Sequence, residues 1–225
     1  MLILFFCRKY RSMRVHLHLP KTAGTALNEY LQERFNVYDY EQSHVMSQRE
    51  IKKIKNGKYN ILIGHISIKE IIGLGVSLSN VFTIMRNPID RCISWYYYMN
   101  CGARIFGKKV SMKQFFQSGN KTILRNCYNR QTYQIGDYVN LRLRNKDEEA
   151  VLERAKRNVD KFYYVFIFEN LKEETKKKFG FVLPKRNKTK PYEKKEKLDD
   201  SVIELIKKWN KLDIELYNYV VEKRN

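Results

Sequence analysis

Four short apolar runs punctuate the chain and set its first frame. In "RVHLHL" (residues 14–19), Val15, Leu17 and Leu19 alternate with polar neighbours, the period of a strand with one face in a core. "YNILIGH" (59–65), "NVFTIM" (80–85) and "FYYVFIF" (162–168) are more continuously apolar, as strands covered on both faces are. Between them the period changes. "TALNEYLQERF" places Leu27, Tyr30, Leu31 and Phe35 at helical spacing. "RNPIDRCISWYYYM" opens with Asn87 as an N-cap and Pro88 at the first helical position, so the strand before it feeds a helix directly. A helix is expected near "SMKQFFQ". Another is expected over "DEEAVLERAKRNV", acidic at its start and basic toward its end to match the helix dipole, with further helices over "NLKEETKKKFG" and "DDSVIELIKKWNKLDIELYNYVVEKR", the last read as one long amphipathic helix. Strands alternating with helices predict an α/β fold, a three-layer domain with a central, mainly parallel sheet flanked by helices. Residues 1–13 read as an N-terminal extension and 14–225 as a single domain, with no internal repeat and no long linker.

Composition adds one strong feature. The 225 residues carry 44 Lys plus Arg against 24 Asp plus Glu, a formal charge of +20, which concentrates anionic ligands around the surface. The chain is also rich in Lys, Asn, Ile and Tyr throughout, a bias that raises bulk charge without function. Four cysteines (Cys7, Cys92, Cys101 and Cys127) form no CxxC pair, and no zinc or disulfide framework is expected. The apolar start "MLILFFC" is too short to span a bilayer, where about 20 residues are needed. The expectation is a soluble, cytoplasmic chain, or a Golgi lumenal one if an anchor precedes this segment.

Ligands of open parallel sheets sit beyond the carboxyl ends of the strands, and three chemically suggestive features fall there. The loop "LPKTAGT" leads from a strand into a helix: Gly24 permits close approach, while Thr22, Thr25 and the first helical N–H groups can donate to an anion. It is not the nucleotide triphosphate loop GxxxxGK[ST], because Lys21 precedes the glycine. Arg86 closes the third strand and Ser94 lies eight residues on, a guanidinium and a hydroxyl suited to one phosphate. His65 follows Gly64 at a strand end, where a neutral imidazole can accept a hydroxyl proton. Each has a plainer reading: a turn, a surface charge, a hydrogen-bonded structural histidine. His16 and His18 read as packing or supporting residues within the strand, His44 as solvent exposed, and Trp95 and Tyr98 as core residues of their helix.

Taken together these residues match a known pattern. "LPKTAGT" resembles the 5'-phosphosulfate loop of sulfotransferases, and "IMRNPIDRCISWYYY" resembles their Arg-x-Pro-x-x-Arg-x-x-Ser-x-Tyr 3'-phosphate motif. More narrowly the chain resembles carbohydrate sulfotransferases related to heparan sulfate 2-O-sulfotransferase. "IGHIS" is similar to the Gly-His segment that carries that group's acceptor base, and "NRQTYQIG" to its Asn-x-Gln-Thr-x-x-x-Gly segment, with Tyr133 where many members have an arginine. The likeness runs from about residue 14 to the C-terminus.

The resemblance implies 3'-phosphoadenosine 5'-phosphosulfate as donor. Lys21, Thr22, Ala23, Gly24 and Thr25 would hold the 5'-phosphosulfate, and Arg86 and Ser94 the 3'-phosphate. Lys21 would stabilise the leaving oxygen, and His65 would deprotonate a hydroxyl of the acceptor, a glycan in this group and one that the positive charge suits if anionic. Arg130, Gln131 and Thr132, and Lys185, Arg186 and Lys188 of the basic stretch 184–198, are further candidate contacts to donor or acceptor. No metal and no nucleic-acid partner is implied. Two other classes stand beside this one. A P-loop nucleotide kinase would need GxxxxGK[ST] and a magnesium carboxylate. A basic nucleic-acid-binding module would use the charge and Tyr96, Tyr97 and Tyr98.

Overall fold

A computed structural model describes residues 13–40, 46–137, 147–183 and 199–224. His44 and the basic stretch 184–198, with Lys185, Arg186 and Lys188, lie outside the described residues, as does nearly all of the N-terminal extension. Five strands form one sheet: β1 (Arg14–Leu17), β2 (Val37–Tyr40), β3 (Ile61–Gly64), β4 (Val81–Met85) and β5 (Tyr164–Ile167). Their order is β2-β3-β1-β4-β5 and every pairing is parallel, so the sheet is wholly parallel. The sequence pattern gave four of these. The fifth, β2, is an edge strand reading Val-Tyr-Asp-Tyr and carries little apolar signal.

Alternation along the strands divides the core between the two faces. On one, Ile61, Ile63, Phe82, Ile84 and Phe166 pack against Leu27 and Leu31 of α1 (Gly24–Gln32) and Phe179 of α9 (Leu171–Phe179). On the other, Val15, Leu17, Leu62, Val81 and Val165 pack under α7 (Arg130–Ile135), α8 (Glu148–Lys161) and α11 (Lys211–Glu222), with α2 (Gln48–Asn56) and α3 (Ile68–Gly73) toward the β2 side. A third cluster joins α4 (Pro88–Cys101), α5 (Met112–Gln117), α6 (Lys121–Cys127) and α10 (Asp200–Trp209) around Trp95, Phe115, Phe116 and Ile206.

The expected long C-terminal helix is two helices, α10 and α11, broken at Asn210. The break has a tertiary cause. Asn129, in the left-handed region at φ 41, accepts from the N–H groups of Leu212 and Asp213 and so caps α11 from outside. Asp213 in return accepts from the N–H groups of Gln131 and Thr132 at 3.1 and 2.7 Å, capping α7. This reciprocal arrangement is fully buried, which gives each unmade bond a high free-energy cost and fixes α7 against α11.

Candidate functional site

The strand order places β1 between β3 and β4, so the chain leaves β1 first toward one side of the sheet and later toward the other. That is the switch point at which parallel sheets open a crevice beyond their carboxyl ends. Lys21 follows β1, His65 directly follows β3, and Arg86 directly follows β4. Three adjacent central strands therefore deliver all three to one cleft of about 760 Å³, also lined by His18, Gly24, Thr25, Ser94 and Phe168.

The loop after β1 is shaped by its backbone. Lys21 and Ala23 both lie in the left-handed region, at φ 68 and 66, with Thr22 between them at ordinary φ. Alternating handedness of this kind turns successive N–H groups toward one concavity, a cradle for anionic oxygens, and the N-terminus of α1 follows at once. Thr25 is exposed to the cleft, whereas Thr22 is fully buried and its hydroxyl donates to the Leu19 carbonyl at 2.8 Å. The expected Thr22 side-chain donor is thus spent inside the loop, and Thr22 has its main-chain N–H left to offer. Gly24 is required by contact: a Cβ there would lie 2.0 Å from the His18 ring.

His65 is set from both sides. Gly64, at φ 152, runs so close to β2 that a Cβ would meet the Tyr40 carbonyl at 2.3 Å. The His65 Nδ1 lies 2.7 Å from the His18 carbonyl. A carbonyl can only accept, so Nδ1 carries the proton and the neutral ring keeps its lone pair on Nε2. Burial lowers the His65 pKa from its ordinary 6.5, the bond to His18 works against that, and the Arg130 guanidinium lowers it further. His18, read in sequence as a supporting residue, stacks on His65 with centroids 4.4 Å apart, and burial holds its own pKa down at about 2. His16 is fully buried against Phe82, with Nδ1 2.6 Å from the Asn28 side-chain oxygen.

Arg86 donates to the Lys21 carbonyl at 3.2 Å and lies 4.2 Å from the Phe168 ring centroid, while its Nε is buried with no partner among the described residues. Ser94, two turns into α4, shares the cleft with it. Gln131 is fully buried and pairs through its amide with the main chain of Arg86, accepting from N at 3.0 Å and donating to O at 2.9 Å. Thr132 is also buried, its N–H held by Asp213. Both support the site from behind. Arg130 is partly buried, its Nε lacks a partner among the described residues, and burial lowers its pKa to about 10. Tyr133 is buried and donates to Glu148 at 2.6 Å, a structural bond.

Two features escaped the sequence reading. Gln134 donates to the same His18 carbonyl that receives His65, at 3.1 Å. Tyr98 is not a core residue: Trp95 is buried beside Phe115, but Tyr98 is 44% exposed at the cleft, with the Lys21 ammonium 4.3 Å above its ring. Helical phase put both on one face; the packing partners end before the second is reached. Among the described residues no group of three or more His, Cys, Asp or Glu side chains is placed to hold a metal ion, and no helix is long and apolar enough to cross a membrane.

No protein-family model matches the chain, and no curated protein matches it in sequence. Among solved structures the chain is similar in fold to a sulfotransferase from Alicyclobacillus acidocaldarius, with a TM-score of 0.51 over 91% of this chain and 93% of that one at 12% identity. The α/β architecture, a parallel sheet between helical layers, is that of a sulfotransferase fold.

Proposed function

We propose that this protein transfers a sulfonate group from 3'-phosphoadenosine 5'-phosphosulfate to a hydroxyl of a carbohydrate acceptor. The observation that carries the reading is the convergence of Lys21, His65 and Arg86 from three adjacent strand ends on one cleft, with the His65 tautomer already fixed as a base. The cleft suits such a donor. Its volume falls within the usual range for small-molecule sites, and both the Arg86 Nε, without a partner among the described residues, and the loop of left-handed Lys21 and Ala23 offer donors to anionic oxygens.

The loop N–H groups of residues 22–25 and the Lys21 ammonium hold the 5'-phosphosulfate; Arg86 and Ser94 hold the 3'-phosphate. As the acceptor oxygen bonds to sulfur and the bond from sulfur to the phosphate oxygen breaks, His65 Nε2 takes the hydroxyl proton. Lys21 meets the negative charge that appears on the phosphate oxygen. A base of this kind contributes about 10²–10⁴ in rate, and a fixed charge at the leaving oxygen about 10²–10³. Gln131 keeps the Arg86 backbone in place, and Gln134 steadies the carbonyl that orients His65.

Calorimetric titration with 3'-phosphoadenosine 5'-phosphate, adenosine 5'-phosphate and ATP tests the donor assignment. The doubly phosphorylated nucleotide is expected to bind tightest, with Arg86→Ala abolishing its advantage. His65→Ala should keep that binding and lose transfer of labelled sulfonate. Tightest binding of ATP, or undiminished turnover by His65→Ala, would overturn the reading.

A further inference from the structure

One buried cluster takes no part in the chemistry proposed above. The Cys92 sulfur, on α4, is fully buried, and polar groups from three other places in the chain converge on it. Arg91 Nη2 donates to it at 3.6 Å and Asn210 Nδ2, at the break between α10 and α11, at 3.5 Å. The Cys127 thiol, at the end of α6, is its further hydrogen-bond partner. As a thiol, Cys92 in turn donates to the Cys127 carbonyl at 3.5 Å, so two residues 35 apart in sequence meet through both side chain and main chain. Both cysteines are free and both are buried.

Packing alone does not call for this arrangement. A neutral sulfur is a weak acceptor, and N–H donors bind a charged acceptor far better, so a guanidinium and an amide aimed at one sulfur favour its thiolate. Burial pushes the Cys92 pKa up, but the bond from Cys127 and the Arg91 guanidinium outweigh it and hold the pKa below its ordinary 9.0, with Asp213 acting against them and Asn210 with them. Burial and then Cys92 push the Cys127 pKa well up. The pair is asymmetric: one sulfur is favoured as a nucleophile, and the other is a thiol already in contact with it.

We infer that Cys92 and Cys127 form a thiol-oxidation site, joined into an intramolecular disulfide by a hydroperoxide. The Cys92 sulfur attacks a peroxide oxygen, the O–O bond breaks, and with hydrogen peroxide one water leaves, so that Cys92 becomes a sulfenic acid. The Cys127 sulfur then displaces the hydroxyl from Cys92, and its proton departs with that hydroxyl as a second water. Two thiols give up two electrons, and one peroxide is reduced to two waters. Hydrogen peroxide is little larger than water and reaches the sulfurs through local opening of the surrounding helices. The second step needs no search, because the partner is already in place. The bond ties α4, which carries Ser94 two residues beyond Cys92, to α6. It stands independently of the sulfonate-transfer reading.

The test treats the full chain with hydrogen peroxide under native conditions, quenches with catalase, alkylates the remaining thiols in denaturant and maps the peptides by mass spectrometry with and without dithiothreitol. A linked pair of peptides carrying Cys92 and Cys127 is expected, lighter by two hydrogens than the separate peptides and absent after reduction. It should accumulate more slowly than oxidation of the exposed Cys101, the internal control for reagent. Dimedone, which traps sulfenic acids, should label Cys92 in Cys127→Ser and leave Cys127 unlabelled in Cys92→Ser. The wild-type map decides the matter even where a variant folds poorly. Four results would overturn the inference: no link after Cys101 is fully oxidised; Cys92 or Cys127 linked to Cys7 or Cys101 instead; a link that appears only when peroxide is added in urea, which would deny it to the native arrangement; or dimedone labelling of Cys127 equal to that of Cys92.

Discussion

Acidification from pH 7.5 to 4.5 is expected to destabilise the fold by about 5 kcal/mol through two histidines alone. His16 is sealed between Phe82 and the Asn28 side chain, and burial lowers its pKa to about 4. His18, between His65 and Gly24, is lowered to about 2, first by burial and then by His65, His16 and Lys21, none of them anionic. In the unfolded chain both return to about 6.5. Each folded value lies below the unfolded one, so unfolding takes up a proton at each ring. The stability they contribute is complete above pH 6.5 and is lost as the pH falls toward the folded values. One such proton tilts stability by about 1.4 kcal/mol per pH unit, and two rings over the two units below 6.5 give the figure above, a large share of the ~5–15 kcal/mol that holds a domain together. His65, also lowered, adds in the same direction. Urea denaturation at pH 7.5, 6.5, 5.5 and 4.5 on the wild type and on His18→Phe isolates one ring. Whatever packing penalty the phenyl ring brings is independent of pH and cancels in the slope. The variant should be shallower by about 1.4 kcal/mol per pH unit below pH 6. Slopes equal within about 0.5 kcal/mol per unit would refute the reasoning.

Gly64→Ala sets a Cβ 2.3 Å from a backbone carbonyl at φ 152, a clash no side-chain rotation relieves, and should lower stability by about 3 kcal/mol in the same denaturation assay. Asp213→Ala strips the buried cap from Gln131 and Thr132 and should cost about 3–5 kcal/mol; Asp213→Asn, with one acceptor oxygen, should fall between it and the wild type. Lys21→Ala should reduce kcat by about 10²–10³ with a smaller change in affinity for 3'-phosphoadenosine 5'-phosphate, measured by single-turnover kinetics and titration. The acid limb of kcat/KM should lie below pH 6.5, since the His65 pKa is lowered and only the neutral ring accepts a proton.

The parts of this molecule that sequence discloses are those set by local pattern. Apolar runs located β1, β3, β4 and β5, and Asn87 with Pro88 located the start of α4, where the Asn87 side chain does accept from the N–H groups of Ile89 and Asp90. Because ligands of parallel sheets gather at strand ends, the same pattern singled out Lys21, His65 and Arg86. What it missed was set by contacts distant in sequence. The amphipathic period runs unbroken through Asn210, yet Asn129, more than eighty residues away, takes the N–H groups that divide the helix. Arg91, the second arginine of the Arg-x-Pro-x-x-Arg pattern, is fully buried and donates to the Asn126 carbonyl, with Cys92 and then Asp213 favouring its charge against the effect of burial, contacts that no local pattern discloses. Thr22 is a candidate donor to an anion by sequence, yet its hydroxyl donates to the Leu19 carbonyl, because loop closure claims a donor that sequence cannot see to be taken.

The main chain of residue 18 links the two ends of the proposed reaction. Its carbonyl fixes the His65 proton on Nδ1 and also receives Gln134, and its ring lies between His65 and the Gly24 backbone. Three residues later the same strand exit bears Lys21. A displacement of the loop by an anion would therefore be felt at His65 through the contacts of residue 18. The choice of a carbonyl as partner for Nδ1 has a further consequence. A carboxylate in that place would raise the His65 pKa strongly and leave the ring protonated at neutral pH. A carbonyl orients the ring with a weaker upward pull, and burial together with Arg130 outweighs it, so the ring proposed as base is neutral and held by its bond to His18.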